Sequence, residues 1–180
     1  IYGEKLKNEK ILNFENNNSQ LFSILKNYDL YNYLLSDLKK NRFISIKKKK
    51  ISYQNLIKNN YKLIFNCDYN SSISKKFFYK KIEKNYYGFA HITSFKHRKL
   101  LNNHVAFQIF TKKGPLAFLP ISTTETSVVY SARGKKDIAL EDLVKRYNNK
   151  YKILKINKSQ SFILRSSNLR SYYYKNIIAF

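Results

Sequence analysis

Few residues in this chain could do chemistry, and none is an obvious acid, base or nucleophile. His91, His97 and His104 have neither helical ligand spacing nor an accompanying cysteine pair, so they do not spell a tetrahedral zinc site. Cys67 stands alone, which excludes an internal disulfide. There is no G-x-S-x-G elbow, P-loop or carboxylate pair, and none of the glycines falls in a G-x-G-x-x-G fingerprint. What remains is a polar cluster, Asp68, Asn70 and Ser71, directly after the apolar run YKLIFNC at 61–67. Such a run reads as a strand covered on both faces in a parallel sheet, and ligands of open α/β sheets gather just beyond strand carboxyl ends. The same D-x-N-S order also builds an Asx-type turn, in which Asp68 and Asn70 bond nearby backbone amides. The residues alone leave both readings open.

The elements that would position this cluster are legible in outline. Residues 11–14 read as a short strand, 16–18 as a turn and 21–25 as a second strand. Asn27 then caps a helix running to about Lys40 on the stripe Leu30, Leu34 and Leu38. Residues 43–46 and 51–53 read as a small ribbon, with the lysine run 47–50 as a solvated edge or turn. The stretch 85–98 is a long strand candidate with Tyr87, Phe89, His91, Thr93 and Phe95 on one face. Its other face, Tyr86, Gly88, Ala90, Ile92 and Ser94, is small enough to admit a ring against the backbone, or to be packed by neighbouring strands.

The window 107–133 departs most from the rest of the composition. Both prolines, Pro115 and Pro120, and Gly114 fall inside it, and Gly134 follows directly. Extended runs at 105–111 and 116–121 are joined by Lys112-Lys113-Gly114-Pro115, where Gly114 can take positive φ and Pro115 presets the next strand. A third run at 126–131 completes an antiparallel meander. Further on, Asp137 caps a helix over 138–148 whose Leu140, Leu143, Val144 and Tyr147 share a face. Glu141 and Asp142 sit early and Lys145 and Arg146 late, as the helix dipole favours. Strands at 152–156, 161–165 and 176–180 follow.

Composition bounds the rest. With 180 residues the chain can bury one real core, yet it also has the size of half a larger enzyme. The absence of methionine and the apolar ending IIAF read as an excised interior fragment. No apolar run approaches a membrane span, and the start lacks a signal-peptide pattern. A formal charge of +24 would ordinarily point to nucleic acid. Here lysine far outnumbers arginine and travels with Asn, Ile, Tyr and Phe, as in an AT-rich genome, whereas a dedicated phosphate reader favours arginine's fork.

The meander also carries a resemblance. Asn103, Val105, Ala106, Gln108 and Phe110, then Gly114, Pro115, Ala117, Leu119, Pro120 and Ser122, then Thr126, Ser127, Val128, Val129 and Ser131, follow one ordered pattern. It resembles the FAD-dependent aromatic-ring hydroxylases of ubiquinone biosynthesis, which have a p-hydroxybenzoate-hydroxylase-like fold. The resemblance implies an α/β (α+β) chain in which 1–80 is a partial FAD-binding Rossmann-like domain lacking its N-terminal glycine fingerprint. Residues 81–170 would be a mostly antiparallel substrate-binding sheet with flanking helices. Residues 171–180 would be a return strand into the FAD domain, ending before a G-D motif.

The resemblance further implies that Asn27, Asp68, Asn70 and Ser71 lie beside FAD, although Tyr69 stands where the family has glycine and Ser74 where it has arginine. It makes Gln108, Phe110, Pro115, Leu119 and Pro120 the roof over the substrate ring. The implied reaction is hydroxylation of a polyprenylated phenol with FAD, NAD(P)H and O2, without a catalytic side chain or a metal. No specific nucleic acid is implied. The expected setting is the cytoplasm, at the inner face of a bacterial membrane or in a biosynthetic complex, or an organellar matrix. The competing class is a non-enzymatic basic RNA-binding or ribosome-associated module, which needs lysines clustered on one face and a steep salt dependence. A third reading is a related flavoprotein with another aromatic substrate.

Overall fold

The computed structural model describes residues 1–4, 10–17, 19–48, 52–134 and 137–180. In chain order the elements are β1 (Tyr2–Gly3), α1 (Asn27–Lys40), α2 (Tyr53–Lys58), β2 (Ile64–Asn66), α3 (Ser72–Phe77), β3 (Lys81–His97), β4 (Phe107–Thr111), β5 (Gly114–Pro120), β6 (Glu125–Arg133), α4 (Leu140–Tyr147), β7 (Ile153–Ile156), β8 (Gln160–Leu169), β9 (Tyr173–Tyr174) and β10 (Ile177–Ala179). The fold is mixed α/β. It forms two compact units, one of Ile1–Asp37 with Tyr86–Leu164, the other of Leu38–Asn85 with Arg165–Phe180. Ile1–Asp37 therefore groups with the antiparallel sheet.

In the first unit the meander forms between the turns its sequence marks. The sheet order is β1-β4-β5-β6-β3-β7, with β8 also paired to β3. Thr111 pairs with Gly114 across a two-residue turn, and Gly114 takes φ +145°, the positive value its position requires. Thr126, Val128, Tyr130 and Ala132 of β6 are buried, while the residues between them are half-buried. Leu116 and Phe118 of β5, and Phe95 of β3, point to the same core. Helix α4 closes it with Leu140 and Val144, helped by the half-buried Leu143 and Tyr147. Aromatic rings fill the middle: Phe95 meets Tyr151 edge-on at 5.2 Å and Phe107 stacks on Phe118 at 4.5 Å. Each buried Phe, Leu or Val contributes about 1.5–3 kcal/mol by leaving water.

The second unit is smaller. Its sheet runs β2-β10-β9, with β10 parallel to β2 and antiparallel to β9. Ile73, Phe78, Ile177 and Ala179 make its core, with Ile64 and Phe77 packed against them.

Several local expectations are corrected. Residues 11–14, 21–25 and 43–46 form no strand; their apolar side chains are mostly exposed and no neighbouring strand pairs with them, so β-propensity has nothing to act on. The turn at Asn16 is present, closed by Ser19 N donating to Asn16 O, while Asn18 lies outside the described residues. Lys49, Lys50 and Ile51 lie there too, and Tyr53 opens helix α2 rather than ending a ribbon. The apolar run 61–67 yields only a three-residue strand, and Phe65 on its outer face is 59% exposed, so one face is bare. Helix α4 starts at Leu140 after Ala139, with no side-chain cap; Asp137 stands two residues before the cap position, too early to reach the free amides. Helix α3 had no counterpart in the sequence reading.

Candidate functional site

The polar loop after β2 is built by one knot of hydrogen bonds. Asn70 N donates to Asp68 Oδ1 at 2.9 Å, which is the Asx turn. Ser71 caps α3, its Oγ accepting from Ser74 N at 3.1 Å while donating to Asn66 Oδ1 at 2.9 Å. Asn66 Nδ2 donates to Ser74 Oγ at 2.7 Å, and Ser74 Oγ donates to Asp68 O at 2.7 Å. The structure thus brings Asp68, Asn70 and Ser71 together, and adds Asn66 and Ser74, which sequence reasoning missed. The signal was there: Ser71 and Ser74 have capping spacing, and Asn66 is a polar residue inside an apolar run. Ser71 is committed, whereas Asp68 Oδ2 and the side-chain amide of Asn70 have no partner among the described residues. Tyr69 is 66% exposed and adopts ordinary negative φ, so the missing glycine costs the turn nothing.

Asn27 belongs to the other unit. It is the first residue of α1 rather than its cap: Lys26 O accepts from Asp29 N and Leu30 N, and the Asn27 side chain bonds no described residue. The stripe Leu30, Leu34 and Leu38 lies exposed along this helix. Lys26 itself pairs with Glu125 at 2.7 Å, which raises the ammonium pKa and lowers the carboxyl through their hydrogen bond.

The sheet of the first unit presents a face opposite its core. Cross-strand register aligns Ile92, Val129, Ala117 and Gln108 in one rung, Ser94, Ser127 and Leu119 in a second, and Phe110 with Pro115 in a third. Gly88 and Ala90 continue the same face of β3. Gln108, Phe110, Pro115 and Leu119 therefore share this half-exposed platform. Pro120 pairs with the fully buried Thr126 and belongs to the core side.

Asn103 and Thr126 of the ordered motif have structural work instead. Asn103 Nδ2 donates to Ser122 O at 2.8 Å, and its Oδ1 accepts from Tyr151 OH at 3.0 Å and Lys150 Nζ at 3.1 Å. His97 Nδ1 contacts Arg98 O at 2.9 Å, so that nitrogen carries the proton and Nε2 accepts from Thr126 Oγ1 at 3.1 Å. Asn103, His97, Thr126 and Tyr151 are all buried, and burial raises the Tyr151 phenol pKa. His91 is less complete: Nδ1 meets Ser161 Oγ at 2.8 Å, while the buried Nε2 has no partner among the described residues. Burial lowers its pKa, and the charge of Asp137 offsets this in part.

Two clefts open in this unit. One, of about 600 Å³, lies between β4 and the end of α4 and is lined by Phe107, Ile109, Arg146 and Glu4 among others. Glu4 is fully engaged there, accepting from Tyr147 OH at 2.5 Å and Lys112 N at 2.6 Å, bonds that hold its carboxyl pKa down. The other, of about 480 Å³, lies at the tip of the β4–β5 hairpin and includes Pro115.

No family model matches this sequence, and no curated protein does. Among solved structures, the chain is similar to CmlS, a flavin-dependent halogenase, at 12% identity over 65% of this chain and 24% of that one, with a TM-score of 0.46. It is similar to Xcc4156, a flavin-dependent halogenase from Xanthomonas campestris, at 8% identity over 66% and 24%, TM-score 0.46. The flavin-dependent brominase Bmp2 matches at 15% identity over 66% and 35%, TM-score 0.46. The chain thus spans well under half the length of each.

Proposed function

We propose that the polypeptide carrying this sequence is a flavin-dependent monooxygenase that hydroxylates a polyprenylated phenol, with FAD as cofactor and NAD(P)H as electron donor. One observation carries the reading: β10 runs parallel to β2, Ile177 beside Ile64 and Ala179 beside Asn66, so two strand carboxyl ends lie side by side with the Asp68 loop directly beyond one of them. That is where ligands of open α/β sheets collect, and it is the arrangement the family resemblance calls for.

The groups left to hold the cofactor are the second carboxylate oxygen of Asp68, an acceptor, and the Asn70 amide, which both donates and accepts. Together they suit a polyhydroxylated chain. Ser71 is removed from this set by its bonds to Asn66 and Ser74, and Asn27 keeps a free amide. When bound and reduced, flavin supplies the oxygen chemistry; the protein supplies orientation and exclusion of water. Gln108 offers the platform's hydrogen bonds to a phenol hydroxyl, while Phe110, Pro115 and Leu119 give the ring an apolar cover. A prenyl tail resides in lipid, which puts the working position at a membrane surface in the cytoplasm or an organellar matrix. Among the described residues no helix is long and apolar enough to cross a membrane.

The test is direct. The protein encoded by the whole reading frame, purified with FAD, is expected to retain flavin and to consume O2 and NAD(P)H when given a prenylated phenol. A whole-frame product that takes up no flavin would refute the proposal.

A further inference from the structure

We propose that the cleft at the tip of the β4–β5 hairpin is a binding site for the anionic end of a ligand, a carboxylate or a phosphate. Its volume, about 480 Å³, falls in the roughly 300–1,000 Å³ range of small-molecule sites. Lys112 and Lys113 enter it from the turn, and Arg133 from the end of β6. No carboxylate lines it. Glu4 bonds the Lys112 amide nearby but lines the other cleft, where Tyr147 shares its charge. Lys113 and Arg133 have no ion pair among the described residues.

Lysines on a chain of charge +24 will enter many clefts by chance. Two features set this one apart. Arg133 brings a planar fork that matches carboxylate and phosphate geometry, and arginine is the rare cation of this sequence. The second is a stretch of lining with no side chains to fill it, at Gly88 and Gly114. A Cβ there would stand 2.8 Å from Ala132 O and 1.8 Å from Ser131 O, so strand packing forbids side chains at both positions. Pro115 adds an apolar wall for the ligand's body. The inference stands on these residues whichever ring the platform covers, and whether or not flavin binds.

The four glycines give a countable set of amide signals in a nitrogen–proton correlation spectrum. Titrating the protein with benzoate, inorganic pyrophosphate and, as the neutral control, benzyl alcohol should move the Gly88 and Gly114 signals with at least one anion and leave Gly3, in the other cleft, in place. Benzoate acting alone assigns the site to carboxylates, pyrophosphate acting alone to phosphates. Arg133→Gln and Lys113→Gln alter exposed residues, and the spectrum itself reports that the fold persists. Each should weaken the anion roughly two- to fivefold, as for an exposed charge pair, and added salt should do the same. Equal shifts with benzyl alcohol, no saturable shift with either anion, or affinities indifferent to both substitutions would overturn the site.

Discussion

His91 shows how one buried side chain carries a pH dependence. Burial holds its folded pKa below the ordinary 6.5, so the native state keeps the ring neutral while the unfolded chain takes up a proton. Stability is therefore complete above about pH 6.5 and falls as pH drops from there towards the lower folded value, since the unfolded state then binds more protons. The groups facing the ring are Ser161 on β8, Tyr130 on β6 and the charge of Asp137, which moderates the shift without reversing it. Glu4 and Glu125 have lowered pKa values, so their contributions are lost only below about 4.5. Denaturant melts between pH 7 and 5 should show a declining stability in the wild type and a shallower decline in His91→Phe, whatever that variant's absolute stability. An unchanged slope would assign the loss to other groups. Gly114 is a second decisive residue. With φ +145° and a carbonyl oxygen in the way of any Cβ, Gly114→Ala should cost at least about 3 kcal/mol, read as a lowered denaturant midpoint.

Elements were legible where two signals agreed. The three strands of the meander are extended runs separated by Gly114-Pro115 and a polar turn, and all three appear within two residues of their expected bounds. The split of β3 was likewise written in its period of two over 91–95, where His91, Thr93 and Phe95 are buried and Ile92 and Ser94 are not, but it breaks further back, where Tyr87 is exposed at φ +52° and Gly88 is buried. Elements failed where periodicity stood alone. The runs at 11–14, 21–25 and 43–46 have strand-forming residues but no partner strand, and a strand without a partner leaves its amides unpaired. Helix α3 was hidden because SSISKKF has no long apolar stripe; its start is fixed by the Ser71 cap, which also satisfies Asn66. Ser71→Ala should thus cost about 1 kcal/mol for the lost cap and a further 1–3 kcal/mol for the buried Asn66 oxygen left without its donor. Hydrogen exchange at the Ser74 and Lys75 amides would report that loosening, and unchanged protection there would show that the cap is not what starts the helix. The candidate site followed the same division. The Asp68 loop does follow the carboxyl end of β2, but which of its groups stay free depends on bonds to Asn66 and Ser74 that no spacing rule specifies.

At the scale of the whole molecule the dominant fact is charge. Thirty-five cations stand against 11 carboxylates, and the ion pairs among the described residues are Lys26 with Glu125 and Lys145 with Glu141. The second of these joins two exposed side chains one helical turn apart, the kind of pair worth only a few tenths of a kcal/mol. Attraction is therefore sparse and repulsion is spread over the surface, a balance that favours the expanded chain, in which like charges lie farther apart. Screening must shift this balance. From about 0.01 M to about 0.1 M salt the screening length falls from about 30 Å to about 10 Å, shorter than the span of a domain, while pairs in contact at 2.7 Å lose far less. The melting temperature at pH 7 should accordingly rise by several degrees over that range with sodium chloride, and equally with potassium chloride, since the effect depends on ionic strength and not on the ion. Sucrose at matched osmolality supplies no ions and should leave the temperature nearly where it was. A fall with added chloride would mean that the lysines are held by carboxylates in compensated networks. The charge would then be part of the architecture, and reading it as genomic drift across a solvated surface would have to be abandoned.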